Sequence, residues 1–166
     1  RENGGGPHDL LSKAVDLGAA HGLTHAVKKK DGWENLGTYN RYQAEEFGRF
    51  VSKLKNTTEP IGEGNMLDNT FAMHGSASSS FHLSRNYPII SAGGKNLGFA
   101  NGRYLNYVGL REDGSLPGAG VISDAGWNSK VAEEEPPLAK LFVSILQRLG
   151  VETDSFAGYS GTLERV

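Results

Sequence analysis

Apolar residues fall into a few separate patches along the chain, and the spacing within each patch predicts its element. Tyr39, Tyr42, Phe47, Phe50, Val51 and Leu54 recur at three- and four-residue intervals, the period of one helix face. A helix over 39–54 follows, with Thr38 or Asn40 as its cap, Asn56-Thr57-Thr58 and Pro60 as its stop, and its Phe/Tyr stripe as core. Leu138, Leu141, Phe142, Ile145, Leu146 and Leu149 mark a second such face. Pro137 suits the first turn of that helix and Gly150 a left-handed stop. A shorter helix is predicted over 9–20 from Leu10, Leu11, Ala14, Val15 and Leu17, ending near Gly18; the stretch 19–30, with its glycines, reads as irregular.

Two short apolar runs have the character of strands: Thr70–Met73, and Tyr87–Ala92 ending at Gly93-Gly94. A polar, serine-rich loop over 75–86 separates them, and one or two edge strands are expected within 98–108, around Arg103-Tyr104-Leu105. Residues 109–137 have no periodicity and read as an insertion. The order helix, strand, loop, strand, helix fits an α/β layer architecture. Two good strands are few for a sheet, so the chain reads as the C-terminal part of one α/β domain. Burying one large apolar side chain contributes roughly 1.5–3 kcal/mol. Phe47, Phe50, Ile89, Ile90, Phe142 and Ile145 therefore call for cover and for strands from outside residues 1–166, from the upstream half of the same protein or from another subunit.

Composition narrows the function classes. Seventeen basic and nineteen acidic residues give a net charge of −2, without the basic footprint of a nucleic-acid binder. Lys28-Lys29-Lys30 is followed by Asp31 and Glu34 and reads as a solvated loop. No apolar run approaches the roughly 20 residues of a membrane span. The absence of cysteine removes disulfides, iron–sulfur ligation and thiol catalysis. The 23 glycines show no short repeat and read as irregular connections. The opening Arg-Glu-Asn-Gly-Gly-Gly reads as that of a processed or truncated chain.

Several stretches, taken in order, resemble one family. They are Leu23-Thr24-His25; Tyr39-Asn40-Arg41-Tyr42-Gln43-Ala44-Glu45-Glu46-Phe47; Leu67-Asp68-Asn69-Thr70 running into His74-Gly75-Ser76; and Asn86–Gly94 with Gly102-Arg103-Tyr104. The ending, Leu149-Gly150-Val151 with Asp154-Ser155-Phe156 and Ser160–Leu163, completes the set. Together they are similar to the C-terminal half of the exported bacterial domain-of-unknown-function family fifteen-fifty-two, which resembles the alkaline phosphatase and sulfatase superfamily. The resemblance implies a partial alkaline-phosphatase-like layered sheet with flanking helices. It also implies export to the periplasm or cell exterior, and a nucleophile, if any, in the upstream half. Ala26, Gln43, Leu83 and Ser84 stand where the family pattern is richer in metal-ligating residues, which weakens the implied metal chemistry for this chain.

Candidate chemistry centres on histidine. His74 and His82 flank the loop leaving the first strand, and in open α/β sheets ligands gather at such ends. Imidazole suits zinc, copper, iron and nickel, and a site normally needs three or four ligands. His25 is the third candidate, and His21, Asp68 or Glu2 complete a set only if folding brings them in; otherwise each histidine is a surface or hydrogen-bonded loop residue. Ser76, Ser78, Ser79 and Ser80 lack the Gly-x-Ser-x-Gly context of a hydrolase elbow. Gly93-Gly94-Lys95 lacks P-loop spacing and reads as a turn. Trp33, Trp127 and Tyr159 are expected in loops.

Three functions remain open. One is a non-catalytic structural or assembly subunit derived from a phosphatase- or sulfatase-like domain. The second is a hydrolase of phosphate or sulfate esters, dependent on a divalent metal held by His74, His82 and His25. The third is glycan or surface-ligand binding through 109–137, with Trp127 as a stacking platform.

Overall fold

The computed structural model describes residues 14, 16–27, 29–76, 87–105, 138–163 and 166. The expected helix over 9–20, the serines at 78–80, His82 and the 109–137 excursion with Trp127 lie wholly or largely outside these residues. The chain divides into two compact units, Arg1–Lys53 and Leu54–Val166. Their described parts contain both helices and small antiparallel sheets, a mixed α/β composition. No described helix is long and apolar enough to cross a membrane.

The first unit is helical. Helix α1 spans Ala20–Ala26, where the glycines predicted irregular chain. Leu23 N–H donates to the Ala19 carbonyl at 3.1 Å, and Leu23 is the buried residue of the helix. One apolar anchor outweighs the helix-weakening Gly22. A tight turn follows, in which Lys29 N–H donates to Ala26 O and Gly32 N–H to Lys29 O. A Cβ on Gly32 would lie 1.8 Å from the Ala26 carbonyl oxygen, so only glycine lets the chain reverse here.

Helix α2 covers Gly32–Lys55, beginning well before the expected 39. Thr38 donates its hydroxyl to the Glu34 carbonyl at 3.0 Å, an interior back-bond in place of the predicted cap. Trp33 accordingly lies in the first turn of a helix instead of in a loop. The expectation of a fully buried aromatic stripe is also corrected. Tyr39 is buried, Tyr42, Phe47, Val51 and Leu54 are half-buried, and Phe50 is 51% exposed. Phe50 lies within about 20° of Tyr39 by helical rotation. Along this stripe, cover therefore changes with position on the helix length.

The second unit is organised by two hairpins and one helix. Strands β1 (Phe71–Gly75) and β2 (Ile89–Gly93) pair antiparallel, with Phe71 opposite Gly93 and His74 opposite Ile90. Ser76 N–H donates to Pro88 O at 3.3 Å. Alternation of an antiparallel ladder from that bond makes His74–Ile90 and Ala72–Ala92 the mutually bonded pairs. It turns the amides of Met73 and Ser91 outward. Pro88, without an N–H, leaves its pair one-sided. Residues 98–105 form no strand, 106–108 of the expected edge-strand segment lie outside the described residues, and Tyr104 is 90% exposed.

The end of this hairpin near Phe71 is tied down. Phe71 stacks on Phe99 with ring centroids 4.0 Å apart. Gly93 has φ +85°, and a Cβ there would lie 2.3 Å from Thr70 O. After a 3₁₀ turn over Lys95–Leu97, Arg148 of helix α3 (Leu138–Arg148) donates to the Gly98 carbonyl and places its guanidinium 5.1 Å from the Phe99 ring centroid. A second nitrogen of Arg148 donates to Val166 O at 2.5 Å.

Helix α3 ends as predicted at Gly150, whose φ is +81°. Val151 N–H donates to Leu146 O and Gly150 N–H to Gln147 O, the paired bonds of a Schellman stop. Its most buried positions are Ala139, Val143 and Ser144, not the predicted leucine and phenylalanine face, which is half-buried, with Leu149 exposed. The helix is covered on more than one side. The short hairpin of β3 (Ser155–Phe156) and β4 (Tyr159–Ser160) packs on it, with Phe156 5.2 Å from Phe142 between ring centroids. Tyr159 thus belongs to a strand, not a loop. Elsewhere on the helix, buried Ser144 accepts a hydrogen bond from Leu163 N–H at 2.9 Å.

Val143 is fully buried, so Val143→Ala is expected to cost about 2–3 kcal/mol from lost transfer energy plus a cavity. Ile90→Ala, at a position 55% exposed, should change stability by less than about 0.5 kcal/mol. Urea unfolding of the two variants beside the parent checks both values.

Candidate functional site

Two histidine side chains come together among the described residues, on α1. His21 and His25 are one helical turn apart, and their Nε2 atoms are 3.0 Å from each other. Their ring centroids are 4.7 Å apart at an interplanar angle of 42°, so the rings converge at their Nε2 edges. Leu23, two positions from each histidine, is turned inward by burial. The helix period then directs both imidazoles to the solvent face, where both residues are exposed. Thr24 donates its hydroxyl to His21 O at 2.7 Å, tightening the same turn.

The other expected ligands are distributed differently. His74 is half-buried in β1, on the sheet face it shares with Ala72, Ala92 and Ile90. It belongs to the second unit, His25 to the first. His82 and Glu2 lie outside the described residues. Among the described residues, no group of three or more His, Cys, Asp or Glu side chains forms a ligand set.

Asp68 is a turn former in the second unit. Its carboxylate accepts from Asn65 N–H at 3.3 Å, and its own N–H donates to Asn65 Oδ1 at 3.1 Å. Beside it, Asn69 donates from Nδ2 to Glu59 Oε2, and Asn96 donates from Nδ2 to Asn69 Oδ1, both at 3.0 Å. Asn96 N–H donates to Asp68 O at 2.9 Å. This chain of side chains joins the 57–70 loop to the turn after β2. Nothing in local periodicity signals it, because its partners are as many as 27 residues apart in sequence.

Gly93 and Gly94 form a turn whose groups bind the chain itself. Gly94 N–H donates to Leu67 O at 2.9 Å, and the Gly94 carbonyl accepts from Leu97 and Phe99 N–H. Ser76 donates its N–H into the hairpin ladder. A shallow open depression beyond the end of α3 is lined by Gln147, Gly150, Val151, Glu152 and Thr153, and the Gln147 amide there donates to Thr153 O at 2.7 Å.

Among the described residues the resolved pKa shifts lie on α2, where Arg49 donates to Glu46. That hydrogen bond holds the Glu46 carboxyl below its usual range and raises Arg49. A lowered carboxyl pKa contributes stability above the unfolded value that is lost as pH falls through the folded one. Both groups are solvent-exposed, so the pair acts as a surface staple of the helix.

Comparisons with protein-family models, with curated proteins and with solved structures find no match for the chain.

Asn69 sits at the centre of the polar chain, and Asn69→Ala removes one partner from both Glu59 and Asn96. The loss of these partly exposed bonds is expected to cost about 1 kcal/mol. The midpoint of thermal unfolding reads it, as a fall of a few degrees.

Proposed function

We propose that this chain is a non-catalytic structural or assembly subunit, related to the C-terminal half of the exported family fifteen-fifty-two and through it to phosphatase- and sulfatase-like domains. The observation that carries the reading is the β1–β2 hairpin. Among the described residues neither strand has a second neighbour. Met73 is 40% and Ile90 55% exposed, on opposite faces of the ladder. Two strands alone are marginal in water, and an exposed ladder with apolar residues is a template for strand addition. The strands that complete an alkaline-phosphatase-like layer come, in this reading, from the upstream half of the protein or from another subunit. In this reading the protein works outside the cytoplasm, in the periplasm or beyond the cell.

A charged residue on an edge strand blocks edge-to-edge pairing. Without its natural partner, the chain is expected to sediment above its 17.8 kDa monomer mass at tens of micromolar (about the range where weak association is populated). Met73→Lys and Ile90→Lys should both return it toward the monomer without lowering its unfolding midpoint. A stable monomer that turns over a phosphate or sulfate ester, with the activity lost in His25→Ala, His74→Ala or His82→Ala, would replace this reading by a metal-dependent hydrolase.

A further inference from the structure

We propose that His21 and His25 form a bidentate surface site for a divalent transition-metal ion, with copper(II) preferred over zinc. The site is independent of the assembly reading, since it lies on α1 in the first unit. Two features carry it: the facing Nε2 atoms at 3.0 Å and the convergence of the two rings at those atoms.

The distance lets both nitrogens reach one ion. Metal–imidazole bonds are about 2.0–2.1 Å. Two such bonds to nitrogens 3.0 Å apart enclose an angle of about 95° at the metal, given that bond length. That is the cis angle of a tetragonal centre, the geometry of copper(II) and nickel(II) with nitrogen and oxygen donors. The affinity order of first-row ions adds to the preference, since copper(II) stands at its top.

In the metal-free pair, one ring donates its Nε2 proton to the other. Binding displaces that proton to Nδ1 of the same ring or to the buffer, so that each imidazole offers the ion an Nε2 lone pair. The described residues supply no third ligand, and water takes positions on the ion. Helix geometry supplies the preorganisation: residues four apart stand one above the other on one face, and buried Leu23 holds the opposite face down. A helix of seven residues is too short to be stable by itself, so an ion bridging its turn also reinforces it.

Copper(II) titrated into the full chain in a weakly competing buffer, followed by calorimetry and electron paramagnetic resonance, tests the site. The expected result is one tight equivalent, a tetragonal spectrum with nitrogen hyperfine structure from two imidazoles, and zinc binding at least tenfold weaker. His21→Ala and His25→Ala should each weaken copper binding tenfold or more, while His74→Ala and His82→Ala leave it within twofold. Circular dichroism of each variant separates loss of the ligand from loss of the helix, and His25→Asn repeats the test with a polar replacement. Copper affinity unchanged in both His25 variants, or lost equally in His74→Ala or His82→Ala, would overturn the proposal.

Discussion

Backbone hydrogen bonding in a two-stranded ladder is the constraint on which the second unit turns. An antiparallel pair satisfies the amides of alternate residues only, and the rest face outward. In β1 and β2 the bonded set contains Ala72, His74, Ile90 and Ala92, and Met73 and Ser91 belong to the outward set. The structure secures this ladder from one end. Phe71 on Phe99, the close approach of Gly93 to Thr70, and Arg148 reaching Gly98 all act at the end away from the 76–88 connection. The polar chain Glu59–Asn69–Asn96 reinforces the same end. The outward amides of the hairpin receive nothing comparable from the described residues.

Arg148 and Ser144 show how a short helix organises chain around it. Arg148 places its planar fork on two carbonyls and its charge near an aromatic face, a combination that lysine cannot reproduce. Ser144 is buried on the helix and binds the backbone of Leu163. A hydroxyl buried without such a partner would cost about 1–3 kcal/mol. Both residues are polar, and both tie the C-terminal segment to the helix.

What was legible in the sequence follows from how local each determinant is. The stop of α3 was readable because Gly150 supplies a left-handed residue directly after a periodic apolar run. The two strand runs were readable within two residues at each end, since turn residues bound them. Helix α1 was hidden by Gly18 and Gly22, because burial of Leu23 is tertiary information, and the early start of α2 was hidden by Gly32 and Gly37, which weaken the local helix signal. The buried side of α3 was misjudged because Ser144 reads as a surface residue until Leu163 arrives. The four-residue spacing of His21 and His25 was in plain view. Its meaning depended on the helix, and an irregular reading of 19–30 concealed the pairing. His74 was placed correctly near the end of the first strand, but its sheet is an antiparallel hairpin, in which a strand end carries no special ligand-gathering role.

The most direct test of the assembly reading is residue-resolved amide hydrogen exchange on the intact native protein, in the form in which it is isolated. In that reading strands from outside residues 1–166 bond to the outward amides of Met73 and Ser91, which should then be protected to the same degree as those of Ala72 and Ala92. Rapid exchange at Met73 and Ser91 beside slow exchange at Ala72 and Ala92 would contradict the account, leaving the hairpin a two-stranded ribbon with water along both edges.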